Sequence, residues 1–191
     1  LCRWTDSELG FISPAQFIPL AEECGLIVPL TELVLNEACE QTQNWINKYN
    51  EPLRIGVNLS GQHIGSQELV SLVSQVLENT QLAAENLELE ITEGSLMQDV
   101  DSTLSHLADI KAMGVKLSID DFGTGYSSLS YLPKFPIDTI KIDQSFVKEL
   151  ERNEANGRII RAITKLAHSL ALNVIVEGVE TLDQLSFVTQ C

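Results

Sequence analysis

Positive charge is scarce in this sequence: 12 Lys and Arg stand against 27 Asp and Glu over 191 residues, a formal charge of −15. Sequence-independent duplex binding is driven by neutralising phosphates, so the charge argues against a broad duplex-binding surface, and no nucleic acid polymer is expected as a partner. A small phosphate ligand is not, provided that cations mediate the contact. Long hydrophobic runs are missing as well. No stretch approaches 18 continuous apolar residues, and no basic-then-apolar leader opens the chain. The expectation is a cytoplasmic domain with no membrane contact of its own, in a parent protein that could be anchored elsewhere. Cys2, Cys24, Cys39 and Cys191 include no C-x-x-C pair, and their spacing fits neither a zinc site nor a compact disulfide framework. They read as free, reduced, mostly buried thiols. No linker, low-complexity tract or short repeat divides the chain.

What is present is an ordinary globular composition, 44% apolar and 20% charged, in which helical and extended segments alternate. Ser13-Pro14-Ala15-Gln16 has the pattern of a capping box, and Phe17, Leu20, Ala21 and Cys24 follow at helical spacing until Gly25. Further helices are predicted over Leu30–Tyr49, around Leu69–Leu77, Val100–Ala108 and Ile159–Leu170, and from a second capping-box pattern at Thr181–Gln184. Between them lie runs rich in Val, Ile and Leu: Arg54–Leu59, Leu87–Thr92, Val115–Ile119, Thr139–Ile142 and Asn173–Val176. Strand–helix alternation of this kind means a parallel sheet with crossover helices.

Strands of an open sheet covered on both sides read as continuous apolar runs. Most of these alternate instead. Leu87, Leu89 and Ile91 share one face while Glu90 and Thr92 take the other; Asn58, Asp120 and Lys141 likewise oppose apolar neighbours. A closed (β/α) barrel of the TIM type accounts for this, with one strand face on the outer helices and the other in a polar mouth.

Each of the five strand candidates ends in polar or charged residues: Asn58; Glu90 and Glu93; Asp120 and Asp121; Lys141 and Asp143; Glu177 and Glu180. One strand-end carboxylate usually means a helix cap or a turn. Repetition on every strand points to the rim where barrel enzymes build their active sites. Adjacent Asp120 and Asp121 repel unless a cation lies between them. The donors are all oxygens, which suits Mg²⁺ or Mn²⁺, and the number of acids suits two ions, a device for in-line displacement at phosphorus. Asp121-Phe122-Gly123-Thr124-Gly125-Tyr126-Ser127-Ser128 reads as a glycine-containing βα loop; no Lys follows the glycines, so it is not a Walker loop.

Asn58-Leu59-Ser60, Glu90-Ile91-Thr92-Glu93, Asp120–Ser128, Lys141-Ile142-Asp143 and Glu177-Gly178-Val179-Glu180-Thr181 resemble the EAL domain family in order and spacing, and Leu1-Cys2-Arg3-Trp4 resembles the end of its name-giving motif. The resemblance spans residues 1–191. It implies a TIM-like barrel that hydrolyses cyclic di-GMP to linear pGpG. It further implies that Asn58, Glu90 and Asp120 hold a first metal, together with a motif Glu upstream of Leu1. Asp120 then bridges to a second ion, also held by Asp121. Glu177 would act on the attacking water with Lys141 beside it, while Arg3 and Asp143 would meet substrate. Glu93 and Glu180 would tie down the loop containing Gly123, Thr124 and Gly125, next to Thr92.

A complete barrel runs to about 250 residues, so an opening and a closing strand are expected beyond this chain, which on its own is expected to be inactive and to associate, as a homodimer or otherwise. A GGDEF or sensory domain in the parent fits the same resemblance. The rival reading is a degenerate module that binds cyclic di-GMP or a protein without turnover. His106 and His168 read as structural or surface residues. His63 reads the same way, with a substrate contact as its alternative. Trp4 and Trp45 read as packing residues.

Overall fold

A computed structural model describes residues 2–97, 99–125, 130–150 and 154–191. The chain opens with a hairpin that period-2 reasoning misses because its strands, β1 (Trp4–Asp6) and β2 (Gly10–Ile12), are three residues each. Asp6 Oδ1 closes the turn by accepting from the N–H groups of Glu8 and Leu9 at 2.8 and 3.0 Å. Two helices follow, α1 (Pro14–Glu23) and α2 (Ile27–Tyr49). The first begins where Pro14 places it, but the expected Ser13 capping box does not form. The Ser13 carbonyl, rather than its hydroxyl, takes the Gln16 N–H, at 2.9 Å. The second starts three residues before the expected Leu30, because Pro29 falls in the first turn, where no intrahelical donor is needed.

The βα units then run in order: β3 (Ile55–Leu59), α3 (Gly61–Ile64), α4 (Gln67–Thr80), β4 (Leu87–Thr92), α5 (Glu93–Leu96), α6 (Val100–Ala112), β5 (Lys116–Phe122), β6 (Thr139–Ile142), α7 (Gln144–Lys148), α8 (Glu154–Ser169), β7 (Asn173–Val176) and α9 (Leu182–Val188). The five strands β3 to β7 pair in parallel in sequence order. This is the sheet of a TIM-like (β/α) barrel, closed on neither side by the described residues: β3 and β7 each have one neighbour.

Alternation decides which face is covered. Leu87, Leu89 and Ile91 of β4, Leu117 and Ile119 of β5 and Ile140 of β6 are fully buried, together with Leu69 and Val73 of α4, Leu107 and Ile110 of α6 and Ile160 of α8. Burying each aliphatic side chain contributes about 1.5–3 kcal/mol. The opposite face carries Glu88, Glu90, Ser118 and Lys141, turned to the barrel axis. At the end remote from the strand-end acids, Asp138 joins three strands. Its carboxylate accepts from the Leu117 N–H at 2.9 Å and pairs with Lys111 and Lys116, and its carbonyl accepts from the Asn173 N–H at 2.9 Å. Burial pushes this carboxyl upward, but those donors outweigh it and hold the group below its usual range.

The thiols are all free, as expected, yet of the four only Cys39 is buried, and Cys24 is exposed at the end of α1. Trp45 is likewise 44% exposed on α2 rather than packed. Trp4 meets Phe17 edge-on at 5.8 Å. No helix among the described residues is long and apolar enough to cross a membrane.

Candidate active site at the strand ends

The strand ends converge on Lys141. Its Nζ lies 3.0 Å from Glu90 Oε2, 3.0 Å from Asp120 Oδ1 and 2.8 Å from Glu177 Oε1, so one ammonium joins four successive strands, β4 to β7 and its end. Asn58 at the end of β3 donates from Nδ2 to Glu90 Oε2 at 3.1 Å. Burial of Lys141 works against its charge, but the hydrogen bonds it donates to Glu177, Glu90 and Asp120 prevail and raise its pKa above the ordinary lysine value. It is therefore a fixed cation, not a base.

Adjacent residues of a regular strand point to opposite faces. Asp120 and Asp121 escape that rule because the β5–β6 register shifts between Ile119 and Phe122, and Asp121 adopts a left-handed φ of 53°. Asp tolerates this conformation better than most residues do. The strand, expected to end at Ile119, thereby continues to Phe122 through both acids. Oxygens of Asp120, Asp121 and Glu177 lie within 4.8 Å of one another. Burial, then repulsion from Asp120, Asp143 and Glu177, pushes the Asp121 carboxyl upward against the pull of Lys141. A cluster of oxygen donors with surplus negative charge is the chemistry a hard divalent cation relieves, and the residues fit one.

The surroundings divide the remaining expectations. Buried Glu93 accepts the Gly123 N–H at 3.0 Å, and the same carboxylate lies against Gly125. Thr124 donates from its hydroxyl to the Asp121 carbonyl at 2.8 Å. Thr92 pairs with Ser95, 2.7 Å between hydroxyl oxygens. Asp143 caps α7 by accepting the Ser145 N–H at 3.0 Å. Glu180, expected to hold the loop, is exposed, and its side chain makes no hydrogen bond or ion pair with the described residues. Only its N–H is used, by Gln184 Oε1 at 2.7 Å. Arg3 is exposed and, among the described residues, bonds only to the Cys2 carbonyl, at 3.0 Å. Leu1, Tyr126, Ser127 and Ser128 lie outside the described residues.

His63 is not at the site: it is fully buried, with neither ring nitrogen hydrogen-bonded among the described residues. A side chain following β3 on α3 points under the rim, which strand position alone does not reveal. Two residues that the sequence did not connect with the site matter more. Gln184 completes the capping box with Thr181 and also donates to the Val147 carbonyl at 3.4 Å, fastening the segment that carries Glu177. Glu22 reaches Ser60.

A family model described as EAL domain matches residues 1–191. The chain belongs to the EAL domain family. Among curated relatives, it is 44% identical over 190 residues to the bifunctional diguanylate cyclase/cyclic di-GMP phosphodiesterase MucR of Pseudomonas aeruginosa, covering all of this chain and 28% of that protein. It is 39% identical over 190 residues to the cyclic di-GMP phosphodiesterase PdeR of Escherichia coli, covering 29% of it. The EAL chain thus spans less than a third of the length of these relatives. A solved structure of the PaMucR phosphodiesterase in complex with c-di-GMP superposes with a TM-score of 0.93 at 44% identity, over 98% of this chain and 76% of that one. The FimX EAL domain, at 22% identity and a TM-score of 0.91, shares the fold.

Proposed function

We propose that this EAL domain hydrolyses one phosphodiester bond of cyclic di-GMP, giving linear pGpG. The observation that carries the proposal is the grouping of Asp120, Asp121 and Glu177 oxygens within 4.8 Å, beside a lysine held charged by three carboxylates. A structural ion pair would not need three acids on one ammonium, nor a left-handed Asp at its edge. The similarity to proteins named as cyclic di-GMP phosphodiesterases supplies the substrate.

Asn58, Glu90, Asp120 and Asp121 would hold Mg²⁺ or Mn²⁺, two ions for the number of acids. When bound, these neutralise phosphate charge and activate water. The chain's own groups do the rest. Glu177, oriented by Lys141, takes the proton of the water that attacks phosphorus as the P–O bond to the sugar oxygen breaks, and that oxygen leaves as a hydroxyl with a proton from solvent. Lys141, which keeps its proton at neutral pH, stabilises the charge that develops. Arg3 and Asp143 meet the substrate, and Glu93 holds the Gly123–Gly125 turn. The reading includes further strands that pair with β3 and β7, and a parent chain with a cyclase or sensory domain, as the longer relatives have room for.

Mass spectrometry of the product settles the activity. The full-length protein incubated with cyclic di-GMP and Mg²⁺ should yield a species heavier by one water. Binding without any such product would sink the enzyme reading in favour of a module that senses the nucleotide.

A further inference from the structure

Helix α1 ends in two acids, Glu22 and Glu23, with no basic residue in its last turn. Negative charge at a helix C-terminus opposes the macrodipole, so neither acid is there for the helix's own sake. Glu23 is exposed, as a solvated acid should be. Glu22 is half-buried and turned into a cleft of about 390 Å³ between α1, α2 and β3, whose wall also includes Asn58, Ser60 and Thr92. There its Oε1 accepts the Ser60 hydroxyl at 2.6 Å, across 38 residues of sequence. Ser60 is the second residue after Asn58 and starts α3, its hydroxyl accepting the Gln62 N–H at 3.3 Å and its carbonyl the His63 N–H at 3.0 Å. A hydroxyl that accepts from the backbone and donates to a carboxylate has no rotational freedom left. Helix α1 is itself fixed, through buried Phe17 and its edge-on contact with Trp4.

We infer that Glu22 is a positioning residue for Asn58: by holding Ser60 it fixes the β3–α3 turn and so the aim of the Asn58 amide. Glu90 restrains that amide from the side, at 3.1 Å, and Glu22 restrains its backbone from below the turn. The inference rests on the metal-dependent reading of the site. Groups that orient a ligand typically change metal affinity by about 10–100-fold when removed.

The test uses the full-length protein and Mn²⁺ alone, with free ion followed by electron paramagnetic resonance, so that no substrate or turnover enters. Glu22→Ala and Ser60→Ala should each weaken Mn²⁺ binding about tenfold. The double variant should be no weaker than either single one, because both remove the same contact. Glu22→Gln keeps an acceptor for Ser60 and should restore most of the affinity. With cyclic di-GMP present, the alanine variants should lose rate at low Mn²⁺ and regain it at high Mn²⁺, with KM for the nucleotide unchanged. Mn²⁺ affinity within about twofold of wild type in both single variants, with or without a lower Tm, makes the pair a fold tether only and overturns the inference. So do losses that multiply in the double variant, or a wild-type protein that binds no Mn²⁺. If Glu22→Ala does not fold, Ser60→Ala and Glu22→Gln carry the same comparison. A wild type that binds Mn²⁺ yet leaves cyclic di-GMP intact refutes the proposed activity and leaves the Glu22 comparison readable.

Discussion

At the scale of single residues, charge arrangement assigns the roles. Asp120 contacts Lys141 and shares a cluster with Asp121 and Glu177, so its charge acts on both the ammonium and the acids around it. Asp120→Asn keeps the shape and removes that charge; turnover should fall by at least about 10²-fold, as when a single transition-state stabiliser is lost. Near-normal kcat with Mg²⁺ would remove Asp120 from the bridging position. Glu177→Gln should behave differently. General-base catalysis contributes about 10²–10⁴-fold, and the loss should fall on kcat with KM for cyclic di-GMP little changed, since the residue acts on water rather than on the nucleotide. A steady-state analysis in which KM rises and kcat stands would make Glu177 a substrate contact. Replacing Mg²⁺ by Ca²⁺ should leave binding and remove turnover, because the larger ion accepts a looser oxygen shell. Equal rates in the two ions would show that shell geometry does not matter here.

At the scale of elements, two joints hold the site in place. Gly178 follows Glu177 at a φ of +71°, and a Cβ there would lie 2.5 Å from the Gln144 Cβ at the start of α7. Gly178→Ala therefore combines left-handed strain with a clash, about 1–3 kcal/mol for the backbone alone. Both Tm and kcat should drop, the latter because Glu177 moves with its loop; an unchanged Tm would mean that the loop shifts freely. The second joint is α3. Its His63 is fully buried without a partner among the described residues, and desolvation lowers its pKa, only partly offset by Glu68. The unfolded chain binds this proton more readily than the folded one does. Stability from the neutral ring is therefore fully present above the ordinary histidine value of about 6.5 and is lost as pH falls below it. His63→Leu should flatten the acid side of a Tm-against-pH curve between pH 7 and 5, and an unchanged slope would show that water reaches the ring.

At the scale of the whole molecule, the sheet's two edges dominate. Among the described residues no strand pairs with the outer edge of β3 or β7, and Ile175 of β7 is 46% exposed where a barrel interior would cover it. Unprotected edges template pairing with other chains. The 191-residue chain studied alone should self-associate and turn over cyclic di-GMP far more slowly than the full-length protein. Sedimentation velocity together with a rate assay tests both; a monodisperse monomer at full rate would mean that neither edge matters to the site.

The order of strands, the acids at their ends and the face that each strand buries could all be read in one dimension. Period-2 alternation is local, and Leu87, Leu89 and Ile91 declare their side wherever the strand is placed. The second capping box, Thr181 with Gln184, formed for the same reason: its partners are three residues apart. What only the tertiary structure decided are relations between strands and across long loops. The register shift in β5–β6 turns Asp120 and Asp121 to one side, against the alternation that their adjacency implies. Lys141 collects three carboxylates from three other chain segments, because sheet register and strand tilt, not spacing, set those distances. Glu22 finds Ser60 only once α1 lies beside β3. His63 sits one turn past a metal-ligand candidate and still faces the core, since the short helix α3 rotates it away from the rim. Local sequence sets which faces are polar, whereas packing in three dimensions sets which polar groups meet.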